Sequence, residues 1–311
     1  MSSTSYKVKS SSEKYASSLG LRILIYIRLH LGKRLCSFLV SILIFWIWCF
    51  SKKERQYSKN YLKILNEYQK RHNLTLTRFS TLKHMYFYAS TLIDRIDTFL
   101  TKSIPIHIDQ DSVKDWNQFL NCTQNKIGCF LLFCHVGNIY VLPNIKYQYE
   151  KASGATADIY MDIDRTPIFH NIMLNQNKTQ NIFFHSTKNM DIKTGYDILS
   201  KLDNSHLILM GVDRIENKNP KHIKKVSILD KPCFLSRAIF KIAQSPNVPI
   251  FFVSCLKENK NYYLYIKQYR NSIEIEDDFA KFMQKLILKS PINWCNWFDF
   301  FYSTDDLEDI L

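Results

Sequence analysis

One histidine follows an apolar, strand-like run and stands at the start of a turn. The run is Ile127–Cys134, and His135-Val136-Gly137-Asn138 comes directly after it. The end of a strand is where α/β proteins place reactive groups, and a neutral imidazole can take a proton from a hydroxyl. Gly137 allows a tight turn, Asn138 suits the start of a helix, and backbone amides there could stabilise an oxyanion. The pattern predicts a general base at His135, although it also fits a structural histidine.

The elements that must position this histidine alternate between strand-like and helical patterns after residue 127. The predicted strands are Ile127–Cys134, Ala155–Met161, Asn181–His185, His206–Val212, Ile250–Leu256 and Tyr262–Gln268. The predicted helices are Tyr57–His72, Thr77–Lys102, Pro167–Asn175, Ile192–Leu202 and Phe234–Ala243. This alternation predicts an α/β fold with a mixed, largely parallel sheet flanked by helices, preceded by an apolar anchor helix.

The N-terminal third has the composition of a membrane anchor. Leu35–Ser51 contains no charged residue, is flanked by Lys33-Arg34 and Lys52-Lys53, and carries two tryptophans near its end. Residues 1–100 hold 17 Lys and Arg against 5 Asp and Glu, whereas the rest holds 25 against 23. Basic residues around an apolar helix are typical of a segment on an anionic membrane. We therefore expect a polar leader at 1–19, a membrane anchor at 20–53 and an α/β domain at 54–311. We leave open whether the anchor spans the bilayer or lies on it, and the alternative is a buried core helix of a soluble domain.

Composition excludes several other classes of protein. The 311 residues are 46% hydrophobic and include only 7 Gly and 8 Pro, which excludes a disordered or collagen-like chain. The eight cysteines form no C-x-x-C pair, so we expect buried thiols in a reducing compartment and no zinc site. Nucleic-acid binding would rest on the basic charge alone, and we expect no nucleic-acid partner.

Four blocks of sequence together resemble a known family. They are His135-x-Gly137-Asn138, Gly211-Val212-Asp213-Arg214, the segment from Val226 to Val253, and the Trp- and Phe-rich block Pro291–Phe301. In this order and spacing they resemble the lysophospholipid acyltransferase superfamily, and specifically its lipid A biosynthesis branch. The resemblance covers roughly residues 20–301.

The resemblance implies transfer of an acyl chain from acyl carrier protein or coenzyme A to a hydroxyl of a lipid or glycolipid acceptor. His135 would be the general base, and Asp213 and Arg214 would orient the acceptor or polar loop groups. Gly137, Asn138, Tyr140 and Arg165 would contact substrate. No cofactor or metal is implied, and the location would be the cytoplasmic face of the inner membrane, through the anchor near Leu35–Ser51.

One position departs from the family pattern. The family has Asp or Glu five residues after the histidine, where it orients the imidazole, but this chain has Tyr140. A phenol has a pKa of about 10 and cannot stabilise an imidazolium as a carboxylate does. Three possibilities stay open: another acid substitutes, with Asp158, Asp162 and Asp164 the nearest candidates; Tyr140 itself bonds the ring; or the protein has lost catalysis and binds lipid or a protein partner.

Overall fold

The computed structural model describes residues 18–100, 104–149, 154–161, 181–188, 190–215, 220–271 and 273–301. Its first four helices are α1 (Ser18–His30), α2 (Gly32–Phe50), α3 (Lys52–Arg71) and α4 (Thr81–Leu100). The later helices are α5 (Val113–Gln124), α6 (Ile145–Gln148), α7 (Ile192–Asp203), α8 (Arg237–Gln244) and α9 (Ile275–Lys289). The predicted helix Pro167–Asn175 lies outside the described residues.

In the described part of the chain, nine strands form two sheets. They are β1 (Ile106–Ile108), β2 (Cys129–Phe133), β3 (Ala157–Met161), β4 (Ile182–Ser186), β5 (Leu207–Gly211), β6 (Ile223–Ile228), β7 (Lys231–Ser236), β8 (Ile250–Glu258) and β9 (Asn261–Gln268). The larger sheet has the order β1-β9-β8-β2-β5-β3-β4, and β6 and β7 form a separate hairpin. Five neighbouring strands, from β8 to β4, are parallel, while β9 is antiparallel to β8. The predicted α/β class with a largely parallel sheet is confirmed.

The central strand β2 is buried on both faces, which explains its continuous apolar sequence. Phe130 and Leu132 point into one apolar core, and Cys129, Leu131 and Phe133 point into the other. A strand in this place is fixed by β8 on one side and β5 on the other. The residue that follows β2 is therefore attached to the most constrained part of the sheet.

Three predicted helices begin at the wrong residue. The helix predicted from Tyr57 begins at Lys52, the helix predicted from Thr77 begins at Thr81, and the third conflicts with a strand. The prediction Phe234–Ala243 places Phe234 in a helix, but Phe234 lies in β7 and α8 begins at Arg237. Leu229 and Asp230 both have positive φ and turn the chain between β6 and β7. Non-glycine residues rarely adopt this conformation, so the sequence carries no ordinary hairpin signal at this turn.

Helix α2 lies along α4. Residues four apart on α2 form a stripe that packs against a matching stripe of α4, namely Cys36, Val40 and Ile44 against Met85, Ala89 and Ile93. By length and composition α2 could cross a membrane. Its most apolar stretch of 18 residues has a mean hydropathy of 1.7, and 17% of that stretch is buried inside the protein. The rest of α2 exposes large apolar side chains, including Leu35, Phe38, Ile42, Leu43, Phe45, Trp46 and Phe50, which we call the apolar face. An N-terminal apolar helix suited to an anchor or a signal is thus present.

Candidate active site

His135 and Asp213 come together because their strands are neighbours in the sheet. Phe133 at the end of β2 is paired with Gly211 at the end of β5. His135 and Asp213 each stand two residues beyond this pair, so the parallel register places them side by side. Both lie past the carboxyl ends of parallel strands, where open α/β sheets bind ligands.

The contact between these residues has the geometry of a catalytic dyad. His135 Nδ1 lies 2.7 Å from Asp213 Oδ1, and the backbone N–H of His135 donates to Asp213 Oδ2 at 2.8 Å. The Asp213 side chain is 1% exposed, whereas the His135 side chain is 26% exposed. The carboxylate thus fixes the ring from inside the protein, and Nε2 is the ring nitrogen left to accept a proton.

The electrostatics keep the dyad in the state that a general base needs. Burial and the Arg214 guanidinium lower the pKa of His135, and the Asp213 carboxylate opposes them without reversing the shift. Burial raises the pKa of Asp213, but the charge and hydrogen bonds of His135 lower it by a larger amount. The pKa of Asp213 is therefore below its usual value. At neutral pH the pair is therefore a neutral imidazole beside an ionised carboxylate.

This geometry corrects two expectations about the missing carboxylate. Asp213 orients the imidazole itself, rather than only acceptor or loop groups. Asp158 does not, because its oxygens contact His185 Nε2 at 2.5 Å and His206 Nδ1 at 2.7 Å. Asp162 and Asp164, the other two candidates, lie outside the described residues.

The turn after His135 is held by backbone bonds from two distant segments. The N–H of Gly137 donates to the carbonyl of Asn293 at 2.9 Å, and the N–H of Asn138 donates to the carbonyl of Cys255 at 2.8 Å. Gly137 has φ +91°, and a Cβ there would lie 2.3 Å from the Cys255 oxygen, so only glycine fits. These two amides are engaged, so neither of them is free to act as an oxyanion donor in this structure.

The Asn138 side chain is buried and anchors the same turn. Its Nδ2 donates to the Thr91 carbonyl and to the Tyr262 hydroxyl, both at 3.2 Å. Its Oδ1 accepts from Arg95 Nε at 3.1 Å. Direct contact of Gly137 and Asn138 with substrate stays a prediction, whereas their part in shaping the turn is visible.

Tyr140 occupies a different environment from that of an orienting acid. The Arg95 guanidinium lies over its ring, 4.3 Å from the centroid, which is a cation–π contact. His135 Nδ1 is already bound to Asp213, which follows β5, so the carboxylate that orients the ring does not come from position 140. Arg214 is exposed beside the dyad, and Arg165 lies outside the described residues.

Two features of the site were missed by the sequence analysis. The first is the pair Asp94 and Arg95 on α4. Two charged residues beside Ile93, in a helix predicted to be buried along an apolar stripe, could have indicated a polar contact with the site. The hydroxyl of Tyr262, on β9, had no such signal because its pattern is that of an ordinary strand. Within the described residues, no group of three or more His, Cys, Asp or Glu side chains is arranged to hold a metal ion.

Comparison with known proteins does not assign the chain to a family. No protein-family model matches the chain, and no curated protein matches its sequence. What the fold and the site define is an α/β protein with a largely parallel sheet, a His–Asp dyad at the carboxyl edge of that sheet, and an N-terminal apolar helix.

Proposed function

We propose that the protein is a membrane-associated acyltransferase that moves a fatty acyl chain from a thioester carrier to a hydroxyl of a lipid or glycolipid. The observation that carries the proposal is the contact between His135 and Asp213 at the open edge of the sheet. A neutral imidazole with one nitrogen held by a buried carboxylate is suited to deprotonate a hydroxyl. The resemblance of the motif blocks to acyltransferases supplies the reaction class.

The reaction follows from the state of the dyad. His135 Nε2 takes the proton of the acceptor hydroxyl while the oxygen attacks the thioester carbonyl. The new C–O bond forms, the C–S bond breaks, and the leaving thiolate receives the proton from the imidazolium. Asp213 holds the Nδ1–H tautomer and stabilises the transient positive charge.

Direct transfer is favoured over an acyl-enzyme. In the described part of the chain, no Ser or Cys side chain hydrogen-bonds His135. Cys134 is adjacent in sequence, but burial raises the pKa of its thiol well above the usual value, so it stays protonated. The acceptor hydroxyl itself is then the nucleophile.

The apolar face of α2 supports a membrane location for the acceptor. Because one stripe of α2 packs on α4, the helix is well placed to lie on a bilayer with the protein body beside it. We propose the cytoplasmic face of the inner membrane as the location, with acyl carrier protein or acyl coenzyme A as the soluble donor.

The test is acyl transfer from radiolabelled acyl carrier protein and acyl coenzyme A to total lipids in detergent. Wild type is expected to transfer label, and His135→Gln is expected to lose transfer. His206→Gln is the matched control, because His206 makes a similar 2.7 Å contact with Asp158 but precedes β5, at the opposite edge of the sheet. A wild type that is silent with both donors would overturn the proposal and favour the second candidate, a lipid- or protein-binding relative without catalysis.

A further inference from the structure

The hairpin of α1 and α2 is held to α4 by ion pairs to two buried aspartates. Arg28 of α1 lies 2.5 Å from Asp97, and Lys33 of α2 lies 2.9 Å from Asp94 and 3.0 Å from Asp97. Both aspartates are buried. Both of these basic residues are therefore directed at the protein, including Lys33, which flanks the apolar segment.

Asp94 is bonded on its other side to the body of the protein. Its Oδ2 accepts from Lys257 Nζ at 2.6 Å and from the Tyr262 hydroxyl at 2.9 Å. The same hydroxyl accepts from Asn138, which lies three residues after His135. A continuous path of hydrogen bonds thus runs from α2 through Asp94 to the turn that carries the candidate base. We call Lys33, Asp94, Tyr262 and Asn138 the relay.

We propose that Asp94 is a positioning residue that makes the geometry of the His135 turn depend on the seating of the α1–α2 hairpin at a lipid surface. For its effect on turnover, this inference rests on the proposed acyltransferase function. The relay itself is a property of the contacts and can be measured without turnover.

The ion pairs of Asp94 and Asp97 explain why the position of the hairpin would affect the turn. Two buried carboxylates, Asp94 and Asp97, share three cations, and two of these cations, Arg28 and Lys33, come from the hairpin. If the hairpin moves away, Asp94 loses Lys33 and keeps Lys257, and a buried carboxylate that loses one of its cations is less stable in its charged form. Asp94 would then protonate or shift, and either change alters its bond with Tyr262.

A lipid surface would strengthen the link. The Lys33 side chain is about half exposed, with 49% of its area open, and it stands next to the apolar face. Lipid packed there would exclude water from the Lys33–Asp94 pair, and a lower local dielectric strengthens such a contact. Binding to lipid and ordering of the turn would therefore favour each other.

The test compares Lys33→Gln with Arg34→Gln. Arg34 is the next residue, is exposed, and loses the same charge without touching the relay. On vesicles of anionic phospholipid, amide hydrogen exchange of residues 135–141 is expected to be about tenfold faster in Lys33→Gln than in wild type, and kcat about tenfold lower at an unchanged KM. Arg34 also flanks the anchor, so Arg34→Gln measures the effect of losing one basic charge at the anionic surface. At vesicle concentrations that bind each variant fully, Arg34→Gln is expected to change exchange and kcat by less than about twofold, and Lys33→Arg is expected to restore both to wild-type values.

A second variant examines the same path from the far end. Tyr262→Phe removes the hydroxyl that joins Asp94 to Asn138 with little change in volume. In a linear relay, the double variant Lys33→Gln/Tyr262→Phe is expected to lose about tenfold in kcat, as each single variant does, rather than the product of the two losses.

Three results would overturn the relay. One is equal exchange and equal kcat in Lys33→Gln and Arg34→Gln. Another is faster exchange in Lys33→Gln that extends equally to the hairpin β6–β7, which would mean general loosening. The third is a multiplicative loss in the double variant. By contrast, a wild type with no transfer activity but normal Lys33-dependent exchange would contradict the acyltransferase proposal and leave the relay supported.

Discussion

The Asp213 carboxylate holds His135 at two points, the ring and the backbone. One oxygen contacts Nδ1 at 2.7 Å and the other accepts from the backbone N–H at 2.8 Å. Because the backbone bond fixes the carboxylate relative to the chain, the ring has one orientation in which its own bond to the carboxylate forms. The dyad is in this way built into the register of two neighbouring strands.

Replacing the carboxylate is expected to lower turnover more than binding. Asp213→Asn should reduce kcat by on the order of 10³ to 10⁴, the size seen when a comparable dyad loses its acid, with KM nearly unchanged. Steady-state kinetics with the better thioester donor measure this, and a thermal unfolding scan checks that the variant is folded. A kcat within threefold of wild type would contradict the assigned role.

Introducing at position 140 the acid of the family that the motif blocks resemble is expected to give no gain in transfer. In Tyr140→Glu the new carboxylate would meet Arg95, whose guanidinium now covers the Tyr140 ring, and His135 Nδ1 would still be bound to Asp213. We therefore expect transfer equal to or below that of wild type in the same assay. Tyr140→Phe is the matched control, because it keeps the ring under Arg95. A clear increase in Tyr140→Glu would mean that Asp213 does not supply the missing function.

The pH dependence of transfer should report the charge of Arg214. This guanidinium disfavours the protonated imidazole and so helps to hold the pKa of His135 below 6.5. Activity should fall as pH drops through that pKa, because the base becomes protonated. In Arg214→Gln the pKa should rise, so the acid limb of the kcat/KM profile should move to higher pH. An unmoved limb, or one that moves to lower pH, would contradict this.

Gly137 should tolerate no side chain. In Gly137→Ala the methyl group would meet the Cys255 carbonyl at a φ of +91°, so we expect a loss of about 2 kcal/mol or more in the free energy of unfolding. Gly195, inside α7, is the matched control because a Cβ there meets nothing within 4 Å. Gly195→Ala should raise the free energy of unfolding by about 0.5 to 1 kcal/mol. Denaturant titration measures both changes.

Stability should decrease with acid because of a buried histidine that is not part of the dyad. His84 is fully buried, and desolvation lowers its pKa to about 4. The unfolded chain binds this proton near pH 6.5 and the folded chain only near pH 4, so unfolding takes up a proton between these values. Stability should therefore fall as pH falls from 6.5 to 4, by about 3 kcal/mol for this group. His84→Gln should flatten that part of the profile of unfolding free energy against pH, and an unchanged slope would count against it.

The sequence predicts the central strands well because strands that are buried on both faces have continuous apolar sequences. β2, β5 and β8 are continuous apolar runs, and their predicted positions differ from the observed ones by two residues or fewer. The β6–β7 hairpin was not predicted, since its turn uses Leu229 and Asp230 at positive φ and its pairing depends on contacts with the rest of the protein.

The contact between His135 and Asp213 could not be predicted from the sequence. The sequence places Asp213 and His135 at the ends of two buried strands, which was enough to name both. It does not give the order of strands in the sheet, and only that order shows that β5 is next to β2. A strand between them would have left Asp213 out of reach of the ring, so the pairing could not be deduced from spacing.

The strand pairing also determines when the candidate site can form during synthesis. Phe130 of β2 pairs with Ile250 of β8, and the His135 turn bonds to Cys255 and Asn293, so the turn cannot be completed until nearly the whole chain has left the ribosome. The hairpin of α1 and α2 is made long before and is held by local helical bonds. In a nascent chain the apolar face of α2 would therefore be exposed before the dyad has assembled.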